Sequence, residues 1–259
     1  MTSTYLFSAE ARSALDQLDI SNLLVALDFD GTLAPIVQQP PQAQMSMSTA
    51  RQLDLLCTLV PVAIVSGREL SDLRLRVTAK VRYLIGNHGN EGLAAIRVDG
   101  DACRQVCTGW MHQLRRFSAL HASGVFIEPK GYTLAVHYRL ASDHFGTEKI
   151  LPEIFSSLTP TPRVVAGKCV FDLIPPGAAC KDDAMEALVM QTQAHTVLYV
   201  GDDGCDELVF ARAHPGWFTI RVGYWRHSAA RYHLCYQHEV RDLLSLLNLR
   251  LGLAPCNVD

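Results

Sequence analysis

The 259-residue chain has no CxxC pair, no run of five basic residues and no uninterrupted apolar stretch long enough to cross a bilayer. Each absence excludes something. The eight cysteines (Cys57, Cys103, Cys107, Cys169, Cys180, Cys205, Cys235 and Cys256) are scattered, with no cysteine–histidine cluster at zinc-finger spacing, so reduced thiols of a cytosolic protein are expected. Cys103 and Cys107 could share a helix face, but no second ligand pair lies nearby. A formal net charge of -3 without a basic run argues against nucleic acid as a partner. The most apolar window, LDLLCTLVPVAIV, is broken by Asp54 and Pro61, which argues against a membrane. The opening MTSTYLFSAEARSALDQL lacks a basic start and an apolar centre, so no secretory signal is expected and a cytoplasmic location follows.

What is present is an ordinary globular composition, 49% hydrophobic and 19% charged, at a length for one large domain or two smaller ones. Residues 8–19 read as an amphipathic helix and 23–28 as a strand covered on both faces. Helix 48–59, strand 61–65, helix 71–77 and strand 82–85 continue the alternation that marks a parallel sheet. The pattern then changes. A helix over 110–120 and two strands in VFIEPKGYTLAVHYR are followed by a helix over 144–157 and two strands in RVVAGKCVFDLIP. A helix over 181–189 and a strand over 196–200 restore the first pattern, and 240–251 reads as a closing helix that packs on the core. The simplest architecture is α/β: a parallel-sheet core of residues 1–96 and 177–259, interrupted by an inserted α+β domain at 97–176.

The stretch LLVALDFDGTLAPIV carries the first apolar strand straight into Asp28 and Asp30. Two like charges two residues apart project to the same side of an extended segment, which is costly unless a cation sits beside them. An EF-hand does not fit, because its sixth and twelfth loop positions would be Leu33 and Gln39. A helix cap would explain one carboxylate and not the pair. A second apolar strand, TVLYV, also ends in carboxylates: Asp202, Asp203 and Asp206. Should the strands be neighbours, Asp202 meets Asp28 and Asp30, and carboxylates without sulfur or imidazole suit a hard cation, Mg²⁺. Ser66, in the Ser66-Gly67-Arg68 turn after PVAIV, offers a hydroxyl and nearby amides to a phosphate oxygen. Lys181, opening its helix, offers a point charge.

DFDGT, the serine of VSGR, Lys181 and GDDGCD, in that order, resemble the four motifs of the haloacid dehalogenase superfamily of phosphatases. Within it the chain resembles the trehalose-6-phosphate phosphatase family, through DFDGTLAPIV, VSGREL, the segment Gly86–Glu91, EPKGYTLAVHYR, AGKC and GDDGCDELVF. The similarity runs from about residue 20 to residue 225. It implies a Rossmann-like core with an α+β cap at the inserted domain. It also implies that Asp28 is a nucleophile forming an aspartyl-phosphate and that Asp30 is the general acid and base. Mg²⁺ would be held by Asp28, Asp30 and Asp202 with support from Asp203 and Asp206, and the phosphoryl group by Ser66 and Lys181. Gly67, Arg68, Asn87, His88 and Glu91 would line the substrate site.

In the cap, Lys168 and Asp172 share strand parity, whereas Val165, Cys169, Phe171 and Leu173 take the packing face. By resemblance Glu128, Lys130, Lys168 and Asp172 contact glucose hydroxyls. Three positions depart from the family pattern: Asp172 replaces a usual glutamate, Ile174 a usual basic residue and Asp182 a usual glycine. The expected activity is Mg²⁺-dependent hydrolysis of trehalose 6-phosphate, with a functional link to a trehalose-6-phosphate synthase. The alternatives are another sugar phosphate (sucrose, glucosylglycerol or mannosylglycerate phosphate), a non-catalytic sugar-phosphate sensor, or a phosphoryl-transferring mutase.

Overall fold

The computed structural model describes residues 3–37, 39–117, 120 and 124–253. Seven parallel strands form the larger sheet, in the order β1-β11-β10-β9-β2-β3-β4. They are β1 (Thr4–Tyr5), β2 (Leu23–Leu27), β3 (Val62–Val65), β4 (Tyr83–Ile85), β9 (Thr196–Gly201), β10 (Trp217–Val222) and β11 (Tyr232–Leu234). The helices joined to this sheet are α1 (Ala9–Asp16), α2 (Met47–Leu59), α3 (Leu70–Arg76), α6 (Lys181–Thr192), α7 (Gly204–Arg212) and α8 (Glu239–Leu253).

Strand β2 shows why the sheet is covered on both sides. Its alternate residues Leu23, Val25 and Leu27 join one buried cluster with Leu53, Leu56, Leu243 and Leu247 of α2 and α8. Leu24 and Ala26 join another with Ala184, Met185 and Leu188 of α6. A two-residue period with both faces buried gives the continuous apolar run seen in the sequence. The strand order reverses at the β2–β9 pair, and such a switch point opens a crevice beyond the carboxyl ends of the strands.

The second sheet is antiparallel, in the order β5-β6-β8-β7, from β5 (Phe126–Pro129), β6 (Leu134–His137), β7 (Arg163–Gly167) and β8 (Val170–Ile174). Two helices cover it, α4 (Gly100–Leu114) and α5 (His144–Ser156), around Trp110, Leu114, Leu151, Phe155, Phe171 and Leu173. All these elements fall between residues 97 and 176.

Three expectations need correction. The helix expected over 110–120 is α4, which starts at Gly100 behind the N-cap Asp99 and ends at Leu114. Cys103, Cys107, Trp110 and Leu114 supply its buried stripe; residues 118 and 119 of the expected span lie outside the described residues. Val165 is not on the packing face with Phe171 and Leu173. The two-residue turn Lys168–Cys169 sets Val165 opposite Asp172, so those two share a face. Strands β1, β10 and β11 and helix α7 were not expected from the sequence.

Candidate active site

Asp28 is the first residue beyond β2, and its N–H donates to Val200 O at 2.9 Å, which ties it to β9. Its side chain is buried, and Oδ1 accepts from Lys181 Nζ at 2.6 Å. The same ammonium donates to Asp206 Oδ1 at 2.8 Å. Lys181 opens α6, where Cys180 is the N-cap and Asp183 closes a capping box.

Asp28, Asp202 and Asp206 offer carboxylate oxygens within 4.8 Å of one another, all buried. Burial pushes the Asp28 carboxyl well above the usual carboxylate range, against the pull of Lys181. Burial likewise carries Asp202 up to about 7, although Lys168 Nζ lies 2.5 Å from its Oδ2. Clustered carboxylates forced toward protonation are what a hard divalent cation relieves, and an all-oxygen donor set fits Mg²⁺.

Asp206 differs from the other two. Oδ1 accepts from Lys181 and from Tyr199 OH at 2.7 Å, and Oδ2 accepts from the N–H groups of Asp202 and Asp203 at 2.9 Å each. Burial opposes its ionisation, but Lys181, the Asp203 N–H and Tyr199 hold it below the usual range. Four hydrogen bonds use its acceptor capacity, so Asp206 shapes the loop that presents Asp202. Asp203 caps α7, with its side chain accepting from Gly204 N at 2.6 Å, and stands outside the three-carboxylate cluster.

Asp30 faces another way. Its two oxygens accept from Arg68 Nε at 2.6 Å and Nη2 at 2.7 Å, a bidentate grip. Gly31 makes the turn between the aspartates possible. Its φ is +80°, and a Cβ there would sit 2.1 Å from Asp202 Oδ2. Ser66 is buried at the end of β3, with Oγ accepting from Arg68 N at 3.2 Å. At Gly67 a Cβ would come within 2.6 Å of the His88 ring.

Asn87 and His88 follow β4 with φ of +47° and +58°, left-handed values rare in residues other than glycine. Glu91 turns back to accept from Leu70 N at 2.7 Å, capping the start of α3. Asn90, not singled out from the sequence, is a clamp. Its Oδ1 accepts from Ala179 N at 2.7 Å, and its Nδ2 donates to Ala179 O and Asn87 O at 2.9 and 2.6 Å. It thereby fixes the segment leading to Lys181 against the loop of Asn87 and His88. Asn90 and Tyr199 carry no motif signal; only the fold gives them partners.

The antiparallel sheet turns Asp172 toward this loop. Its carboxylate is buried, with Oδ1 3.2 Å from Lys130 Nζ and 3.7 Å from His88 Nε2. Burial works against its ionisation, but Lys130 and His88 hold it well below the usual range. Asp172 in turn, outweighing burial, raises Lys130. Glu128 pairs with His137 Nε2 at 2.8 Å, which lowers its carboxyl. Lys168, expected beside Asp172, instead reaches the Asp202 carboxylate. The start of α7 lies close against β7 here: a Cβ on Gly204 would lie 1.6 Å from Ala166 O.

Among the described residues no helix is long and apolar enough to cross a membrane. The trehalose-phosphatase family matches residues 26–224. A Mycobacterium tuberculosis protein described as an uncharacterized glycosyl hydrolase is 32% identical over 241 residues, 86% of this chain and only 18% of that protein. The chain thus spans about a fifth of the first relatives it matches. Trehalose-6-phosphate phosphatase of Escherichia coli is 29% identical over 206 residues, 76% of each. Among solved structures, the C-terminal domain of Candida albicans trehalose-6-phosphate phosphatase superposes with a TM-score of 0.74 at 24% identity, covering 96% of this chain and 98% of that one. The fold is that of haloacid dehalogenase phosphatases, and with the family match covering well over half its length, the chain belongs to the trehalose-phosphatase family.

Proposed function

We propose that this protein is a Mg²⁺-dependent phosphatase hydrolysing trehalose 6-phosphate to trehalose and phosphate. The observation that carries the reading is one juxtaposition. A buried Asp28–Lys181 pair at the strand ends lies across from a sheet presenting Asp172, Lys130 and Glu128. The first suits a phosphoryl group and the second suits sugar hydroxyls.

Asp28 attacks phosphorus through a carboxylate oxygen, and the bond to the sugar oxygen breaks, leaving an aspartyl-phosphate. Asp30 gives a proton to the departing sugar oxygen and then takes one from the water that hydrolyses the acyl phosphate. Arg68 grips both oxygens of an Asp30 carboxylate, so one of these hydrogen bonds gives way as Asp30 takes up from solvent the proton that it then passes to the sugar oxygen. Lys181 offsets charge on the transferring group, and Ser66 Oγ with nearby amides steadies its oxygens. Asp28, the Asp30 carbonyl and Asp202 would hold the cation, with Asp203 and Asp206 shaping their loop. When bound, Mg²⁺ supplies charge neutralisation at the phosphoryl oxygens.

Residues 97–176 then act as a cap that closes over the core, since the two halves of the site lie on different sheets. A cytoplasmic enzyme supplied by a trehalose-6-phosphate synthase fits this substrate. The departures at Asp172, Ile174 and Asp182 favour one rival, a phosphatase for another sugar phosphate. Phosphate release with Mg²⁺ from trehalose, sucrose, glucosylglycerol and mannosylglycerate phosphates decides between them. Faster turnover of any other member overturns the trehalose assignment, and phosphate release that survives Asp28→Asn overturns the nucleophile.

A further inference from the structure

We propose that His88, Asp172 and Cys205 form a second cation site, selective for a transition metal of the Zn²⁺ type, that bridges the two sheets. His88 belongs to the loop after β4, Cys205 to the first turn of α7 and Asp172 to β8 of the antiparallel sheet. All three are buried, and one ligand atom of each lies within 4.8 Å of the others. His88 Nε2 is 3.7 Å from Asp172 Oδ1, and Cys205 Sγ is 4.0 Å from Asp172 Oδ2. Metal–nitrogen and metal–oxygen bonds of about 2.0–2.2 Å and a metal–sulfur bond of about 2.3 Å put tetrahedral ligand atoms roughly 3.3–3.6 Å apart. One donor atom from each residue lies within 4.8 Å of the others, so a contraction of at most about 1.5 Å brings them to ligating distance.

An independent observation points to a ligand. Both ring nitrogens of His88 are buried without a hydrogen-bond partner among the described residues, Nε2 coming no nearer to Asp172 than 3.7 Å. Buried polar atoms are rarely left so, and here they belong to a side chain held by a left-handed backbone. Nitrogen, sulfur and carboxylate together favour Zn²⁺ or Co²⁺ over Mg²⁺, unlike the all-oxygen cluster at Asp28. On ligation the Cys205 thiol releases its proton to solvent. A thiolate, a carboxylate and a neutral imidazole then balance a dication. Lys130 is the competing cation on Asp172; its side chain is 20% exposed and has a route to water.

Such a metal would pin the two sheets together and occupy a carboxylate assigned above to the sugar. Zn²⁺ should therefore inhibit the phosphatase. That consequence rests on the proposed function; the binding does not.

Metal-free protein titrated with Co²⁺ tests the binding. The expected result is a thiolate-to-Co²⁺ charge-transfer band saturating at one equivalent, lost in Cys205→Ser and formed at least tenfold more weakly in His88→Gln. Circular-dichroism melts check that both variants fold. A band that survives Cys205→Ser overturns the site in favour of another thiol, such as Cys180 beside Asp182 and Asp183. Absence of any band, with a raised KM in His88→Gln, overturns it in favour of a sugar-directed histidine. In the second arm, micromolar Zn²⁺ over excess Mg²⁺ slows phosphate release by the wild type, and Cys205→Ser is at least tenfold less sensitive. Equal sensitivity in the two overturns the inhibitory role. A protein that releases no phosphate from any sugar phosphate refutes the proposed function, while the Co²⁺ spectrum still decides the site.

Discussion

Replacing Lys181 with methionine should unfold the protein more easily at high pH than at low pH. The ammonium is buried between Asp28 Oδ1 at 2.6 Å and Asp206 Oδ1 at 2.8 Å, with Asp202 in the same cluster. At an effective dielectric constant near 20, each pair attracts by about 6 kcal/mol before desolvation is subtracted. Burying the ammonium offsets much of that gain, and removing one partner of a buried pair costs about 3–5 kcal/mol net, because the remaining charge is stranded. In a domain of this size that lowers Tm by about 6–20 °C.

The pH dependence has a definite sign. Burial raises the Asp28 carboxyl in the wild type, whereas Lys181, overcoming burial, lowers that of Asp206. Without the ammonium both rise. A carboxyl whose folded pKa exceeds its unfolded value of about 3.9 loses stability as pH climbs through that window, and costs nothing below it. The deficit of Lys181→Met should thus be largest at pH 8 and shrink toward pH 5. Melting curves in a chelator at pH 8, 6.5 and 5 measure it. A deficit below about 1 kcal/mol at pH 8, or one flat across pH, refutes a charge-balancing role for the lysine.

Arg68→Ala should lower kcat about 100-fold with a smaller change in KM, because Asp30 loses the fork that aims it. Arg68→Lys should not restore the rate, since an ammonium cannot grip both oxygens, and full rescue by lysine would argue against orientation as the cause. Gly31→Ala should destabilise by about 1–2 kcal/mol for its left-handed backbone and weaken Mg²⁺ binding by displacing Asp202, read as a lower Tm and a higher Mg²⁺ requirement. Mg²⁺ affinity should fall up to about tenfold per pH unit below about 7, as protons compete for Asp202; calorimetric titrations that agree between pH 8 and 6 would contradict this.

Much of this site is legible in the sequence because its residues lie next to strong local signals. The run Leu23–Leu27 announces a strand buried on both faces, and two aspartates at its end announce a charged site. The parts not legible depend on partners distant in the chain. β10 carries Thr219 and Arg221, which break an apolar pattern. In the fold Arg221 bonds Glu207 at 2.5 Å and Thr219 Oγ1 accepts from Arg231 N, partners that the sequence alone does not reveal. His233 interrupts β11 in the same way, and Ser3, 230 residues earlier, meets it. Strand parity counted through the Lys168–Cys169 turn puts Val165 on the wrong face, because the turn resets it. Lys168 went elsewhere for a related reason: at that turn its long side chain reaches the other sheet, where Asp202 is buried.

Two departures from the family pattern become one adjustment once the register is known. Ile174 stands where a basic residue is usual, and it packs with Val165 and Cys180, apolar neighbours that would strand a charge. Its cross-strand partner is Arg163. That guanidinium lies 3.5 Å from Asp182, the residue found in place of the usual glycine, and Arg212 holds the other Asp182 oxygen at 2.8 Å. Arg163, across the strand pair from Ile174, supplies a positive charge that Asp182 meets, next to Lys181 yet facing away from Asp28. The exchange leaves the phosphoryl half of the site as the motifs describe it. It alters the sheet that carries Asp172, so any change in activity should fall on the choice of sugar and leave the phosphate chemistry intact.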